Sequence, residues 1–195
     1  MLRIGITGGI GSGKTTVCAI FSTLGIPIYN SDERAKKIMV ENQSVVNKLK
    51  AQFGSTIYFE DGSINRVLLS QIVFNDKEQL TKLNEIVHPA VFEDMIKWYA
   101  QNQNHKYVLQ EAAIMYESGS YKMLDKTILV YADQEIRIER VMKRDKVDRI
   151  AVLARMDKQM PESEKLKLAD FVIYNNGESL IDQVMKLHHT ILELV

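Results

Sequence analysis

The sequence predicts an α/β fold: a five-stranded parallel sheet with helices on both faces. Three observations predict it. Short apolar, β-rich runs recur along the chain, as LRIGIT (2–7), GIPIYN (25–30), KYVLQEAA (106–113), KTILVYA (126–132) and DFVIYNN (170–176). Helical periodicity separates these runs, which implies right-handed crossovers between parallel strands. The first run leads directly into GITGGIGSGKTT, Gly5 to Thr16, a glycine-rich turn that opens a helix.

The first element is the strand LRIGIT, short and mainly apolar and β-branched, as expected of a buried parallel strand. The helix after the turn runs from Lys14 to Leu24, with Val17, Ile20, Phe21 and Leu24 on one side and Gly25 where a C-terminal glycine belongs. The turn holds five of the chain's ten glycines. Glycine contributes no packing area, so the backbone must be the working surface there. Gly8, Gly13, Lys14 and Thr15 fit G-x-x-x-x-G-K-[ST], the phosphate-binding loop. Its amides turn inward as an anion nest at a helix N-terminus, where the helix dipole favours negative charge. Lys14 is placed to reach β- and γ-phosphates, and the Thr15 hydroxyl to ligate Mg²⁺.

At 195 residues the chain can bury one core and carry a small insertion. Its apolar share of 46% and charged share of 26% are those of an ordinary globular protein. The formal net charge is zero, which leaves no global field to draw in nucleic acid or an anionic membrane. Cys18, the only cysteine, cannot form an internal disulfide and is expected to pack. No signal peptide or membrane-length apolar run is visible, so a cytoplasmic protein is expected, with no obligate protein partner.

Residues 33–103 read as helical. AKKIMVENQSVVNKLKAQF and RVLLSQIVFNDKEQLTKLNEIV are amphipathic, and the turn FEDGSINR divides them. This gives a core of residues 1–31, 105–136 and 160–195 and a helical insertion of 32–104, of the kind that holds a second substrate. A lid of 137–159 completes the scheme. In the lid region, Arg137, Arg140 and Arg144 share a helix face, followed by Arg149 and Arg155. A solvated helix face is the plain explanation; the preponderance of arginine, whose fork suits phosphate oxygens, favours a mobile lid.

Ligands of doubly wound sheets gather past the carboxyl ends of the strands. There lie Asn30 to Asp32, Glu111, Asp133 and Asn175 to Gly177. A GTPase would carry N-K-x-D, which is absent, and a motor a strand ending in Asp-Glu, where VLQEAA offers only Glu111. A small-molecule kinase fits the size and the insertion. An ATP-binding switch acting through a protein partner is the alternative of a different class. A kinase needs a group to orient and deprotonate the acceptor hydroxyl. Asp32, just past the second strand, can serve as that base or as the N-cap of the helix that follows.

Six collinear segments make the chain resemble dephospho-CoA kinases over nearly its whole length: GITGGIGSGKTT, YNSDERAKKIM, DGSINRVLLSQIVFND with LNEIVHPAV, AAIMYESG, ERVMKRD with ARMDKQ, and ADFVIYNNG. The chain departs from the family pattern in three places. Asn30 stands at the first position of an Asp-x-Asp segment, Ala113 at a frequent proline, and Thr15 at a frequent serine. The resemblance implies transfer of the ATP γ-phosphate to the ribose 3′-hydroxyl of dephospho-CoA; the runner-up reading is a kinase for another small acceptor, such as a nucleoside monophosphate. It implies that Gly11, Ser12, Gly13, Lys14, Thr15 and Thr16 wrap the phosphates. Lys14 and Arg140 then stabilise the transferred group, with Arg144 as a second cation, and Mg²⁺ is held by Thr15 and, through water, by Glu111. Asp32 is the implied base, Asn175 and Gly177 the adenine turn, and His88, Tyr116 and Glu117 substrate contacts. His88 equally reads as packing beside a proline in a helix first turn, and Asn175 and Gly177 as an ordinary strand-to-helix turn.

Overall fold

The computed structural model describes residues 1–74 and 76–195. Among them the strands are β1 (Leu2–Thr7), β2 (Ile28–Asn30), β3 (Tyr107–Glu111), β4 (Lys126–Tyr131) and β5 (Phe171–Tyr174). The helices are α1 (Lys14–Thr23), α2 (Ser31–Glu41), α3 (Gln43–Phe53), α4 (Arg66–Phe74), α5 (Lys77–Gln101), α6 (Gln134–Asp145), α7 (Arg149–Met156), α8 (Glu162–Leu168) and α9 (Leu180–Leu192). The chain divides into two compact units, residues 1–30 with 102–195, and residues 31–101.

The first unit is a five-stranded sheet in the order β2-β3-β1-β4-β5, with every pairing parallel. Its core joins Ile4, Ile6, Leu109, Ile128 and Val130 of the strands to Val17 and Phe21 of α1 and Val184 and Ile191 of α9. On the other face of β1, Gly5 lets Met115 and Leu124 approach the strand; a Cβ at Gly5 would lie 2.6 Å from Leu124 Cδ1. The strand order reverses at β1, so the loop leaving its carboxyl end sits at the sheet's switch point, where such folds bind ligands.

The second strand is shorter than GIPIYN suggests. Gly25, at φ 79°, ends α1, with its amide on Ser22 O and the Ile26 amide on Phe21 O. Pro27 has no amide to give a ladder, although its carbonyl accepts from Leu109 N at 2.9 Å. Regular pairing therefore begins at Ile28.

The second unit packs α2 to α5 around Ile38, Val45, Val46, Leu49, Ile57, Leu69 and Val87. The expected turn is present, with Tyr58 and Ile64 bridged in antiparallel fashion across it. The segment from Arg66 to Val87 reads as one amphipathic stretch but forms two helices. Asp76 Oδ1 accepts from Glu78 N at 2.9 Å and Gln79 N at 3.1 Å and so starts α5. Asn75, part of the expected substrate segment, lies outside the described residues. Pro89 is not in a helix first turn: it lies inside the 25-residue α5, where its ring removes one helical hydrogen bond.

Candidate active site

The phosphate loop is built by the backbone conformation of two glycines. Gly11 and Gly13 have φ of 81° and 96°, the left-handed region that strains any residue with a Cβ. Gly13 directly precedes α1, and Val17 N already bonds to Gly13 O at 3.1 Å. The opening amides of α1, those of Lys14 to Thr16, precede that first i→i−4 bond and so lie at the positive end of the helix. Ser12 Oγ is buried within the loop without a hydrogen-bond partner. An acceptor oxygen of a ligand would satisfy it, as it would the amides around it. Lys14 Nζ donates to Gly8 O at 2.8 Å, across the loop.

Beside the loop, Thr15 Oγ1 donates to Glu111 Oε1 at 3.0 Å and Asn30 Nδ2 donates to Glu111 Oε2 at 2.7 Å. Asn30 and Glu111 are register partners at the ends of β2 and β3, and Glu111 is 5% exposed. The departure at Asn30 now has a physical reason. A carboxylate there would face another buried carboxylate, whereas the amide donates to it. Burial first, and the Glu111 charge next, push the Cys18 thiol up and keep it neutral, in line with a packing role.

Among the described residues Glu111 enters no ion pair, and no group of three or more acidic, histidine or cysteine side chains is present. One hydroxyl and one carboxylate are a sparse, hard-oxygen donor set. That suits Mg²⁺, which keeps waters and takes phosphate oxygens as its other ligands.

Arg140 on α6 reaches the loop. Its Nη2 donates to Asn175 O at 2.9 Å and to Asn175 Oδ1 at 3.2 Å, and its Nη1 to Gly11 O at 3.5 Å. Asn175 in turn donates from Nδ2 to Ser12 O at 2.7 Å. The turn after β5 is thus tied to the phosphate loop through one side chain, and Gly177, at φ 130°, lies in that turn.

The other arginines go elsewhere. Arg144 is exposed and holds Asp145 at 2.7 Å, as Arg155 also does at 2.7 Å. The Arg144 hydrogen bond, with Arg155 behind it, keeps the Asp145 carboxyl below its usual range. Arg149 pairs with Glu135 at 2.6 Å in solvent, and Arg137 is buried. The shared helix face predicted for Arg137, Arg140 and Arg144 therefore divides among three environments.

Tyr116 is 4% exposed and donates its hydroxyl to Thr127 Oγ1 at 2.9 Å, so the structure places it in the interior. Glu117 accepts from Met160 N at 2.7 Å and pairs with Lys165 at 3.3 Å. In the second unit, Asp32 lies within the first turn of α2, which starts at Ser31, rather than at its N-cap. His88 is exposed and lines a pocket of about 520 Å³ with Thr81, Asn84, Glu85, Pro89 and Phe92 along one face of α5. Sequence reasoning missed Gln159, whose Oε1 accepts from Ile10 N at 2.8 Å. No local signal marks a residue 149 positions away as a partner of the loop.

The family model for dephospho-CoA kinase matches residues 2–180. A dephospho-CoA kinase from Geobacillus kaustophilus is 40% identical over 178 residues, covering 90% of this chain and 89% of that protein. A crystal structure of a Thermus thermophilus protein, 37% identical, superposes with a TM-score of 0.86 over 100% of this chain and 98% of its own. Dephospho-CoA kinase from Campylobacter jejuni, 30% identical, does so with a TM-score of 0.73 over 98% and 97%. With a phosphate loop in place and similarity running through both units, the chain belongs to the dephospho-CoA kinase family.

Proposed function

We propose that this chain catalyses transfer of the γ-phosphate of ATP to the ribose 3′-hydroxyl of dephospho-CoA, giving CoA and ADP. One observation carries the reading: the family match spans residues 2–180, taking in the helical unit of 31–101 as well as the phosphate loop. The loop alone would support nucleotide binding and nothing more specific.

Gly11 to Thr16 receive the ATP phosphates through their backbone amides, as the positive φ of Gly11 and Gly13 and the buried Ser12 hydroxyl suit. Lys14 leaves Gly8 O and moves onto the β- and γ-phosphates. Arg140, held by Asn175 beside Gly11, meets the charge that spreads over the transferred group. Asp32 orients the acceptor hydroxyl and takes its proton. Bound at Thr15 and, through water, at Glu111, Mg²⁺ would neutralise phosphate charge. Asn175 and Gly177 form the turn for adenine, and His88 with Phe92 on α5 offers a polar and apolar surface for the acceptor. Tyr116 and Glu117 are structural in this account, since the Tyr116 hydroxyl bonds to Thr127 and Glu117 Oε1 holds both Met160 N and Lys165. Within residues 137–159 the closing part is the exposed stretch bearing Arg144, Arg149 and Arg155. No helix among the described residues is long and apolar enough to cross a membrane.

Glu111→Gln keeps the hydrogen bonds to Thr15 and Asn30 within reach but removes the charge. The Mg²⁺ concentration needed for half-maximal turnover is expected to rise about tenfold, read from a metal titration at saturating ATP. The reading as a whole is tested by ADP release from Mg-ATP with dephospho-CoA, AMP, CMP or no acceptor. Turnover with dephospho-CoA alone is expected. Turnover with AMP or CMP instead would keep the loop chemistry and discard the acceptor. Nucleotide binding with no turnover would favour a switch.

A further inference from the structure

A group of four charged side chains lies behind the phosphate loop, with Lys165, Arg137 and Glu162 largely buried and Glu117 at the rim, its side chain 20% exposed. Lys165 is fully buried, and its Nζ lies 3.3 Å from Glu117 Oε1 and 3.5 Å from Glu162 Oε1. Glu162 also pairs with Arg137 at 3.7 Å, and the side chains of Arg137 and Glu162 are 8% and 12% exposed. The charges cancel, yet Arg137 Nε, Glu162 Oε2 and Lys165 Nζ have no hydrogen-bond partner. A buried ionic group with unsatisfied atoms is a poor stabiliser, since apolar side chains of similar volume commonly serve stability as well or better. Its position suggests a different use.

The group is wedged against the loop. A Cβ at Gly9 would overlap the Arg137 guanidinium and lie 2.7 Å from Glu162 Oε1. Glu117 accepts from Met160 N, next to Gln159, and Gln159 accepts from Ile10 N. The group therefore fixes both flanks of the loop's first half: Gly9 by direct backing from Arg137, and Ile10 through the segment that Glu117 anchors. The second half of the loop holds the glycines and Lys14 that receive phosphate.

We propose that Arg137 is a positioning residue for phosphoryl transfer, its guanidinium held by the Glu117–Lys165–Glu162 group and setting the aim of the phosphate loop through the main chain of Gly9. This rests on the reading of Gly11 to Thr16 as the phosphate cradle. Nucleotide affinity is spread over many amides and tolerates a small shift of the loop. In-line alignment of the γ-phosphate does not, since a misplacement of about 1 Å can cost about 100-fold in rate.

Two variants test it. Gly9→Ala alters no charge and pushes the guanidinium aside; Arg137→Gln removes it. Each is expected to lower kcat by about 10- to 100-fold while the KM values for ATP and dephospho-CoA change less than about threefold. The thermal midpoint of Gly9→Ala should stay within a few degrees of the parent. The double variant should be no slower than the slower single variant, because both changes act through one contact. Gly9→Ala with parental kcat would overturn the proposal, as would losses in the two variants that multiply. A fall in the fraction of folded enzyme at unchanged kcat per folded molecule would also overturn it, leaving a purely structural group. The unmodified protein separates this from the cradle: if it fails to bind ATP, the cradle reading falls too. If it binds and turns over while Gly9→Ala matches it, only the positioning role is lost.

Discussion

Asp32→Asn is expected to bind ATP as the parent does and to transfer phosphate at least about 100-fold more slowly, the usual contribution of a positioned general base. The substitution is nearly isosteric. Asp32 is exposed in the first turn of α2, where its charge also favours the helix dipole. Losing that interaction costs about 0.3–1 kcal/mol, so the variant stays folded and the two roles separate cleanly. A variant with a slightly lower unfolding midpoint and near-parental turnover would assign Asp32 to the helix alone. Single-turnover measurements with ATP prebound read the chemical step directly.

Arg140→Ala should lower kcat by about 1,000-fold, in the range of cations that stabilise a transferring phosphoryl group. The KM for dephospho-CoA should move far less. The same change releases Asn175 O and Oδ1 from the guanidinium, although Asn175 keeps its bond to Ser12 O at 2.7 Å. Arg140→Lys is the informative companion. It keeps a charge but loses the planar fork that grips Asn175 and Gly11 together, so partial recovery at most is expected. Equal losses in turnover and acceptor affinity for Arg140→Ala would make Arg140 a binding residue instead.

What the sequence made legible was local. The strand β1, the glycine loop and α1 follow from one another within 23 residues, and each is specified by its own residues, down to Gly25 closing the helix. Other features depend on partners far along the chain. Periodicity places Arg137, Arg140 and Arg144 on one face. It cannot show that Glu162 draws Arg137 inward, that Asn175 holds Arg140 at the loop, or that Asp145 keeps Arg144 in solvent. Lys165 shows the same limit: within the charged run PESEKLKL it looks like a solvated residue, and it is completely buried. Asn30 looked like the loss of an acid until β3 placed Glu111 beside it.

The most direct test of the central claim is the position of the phosphate in the product. The enzyme is incubated with Mg-ATP and dephospho-CoA, and the new phosphorus resonance is assigned through its coupling to ribose protons. Coupling to the 3′ proton, with one ADP formed per product, is the predicted result. A new phosphate on the 2′ oxygen or on the pantetheine end, or ADP formed with no phosphorylated acceptor, would contradict it.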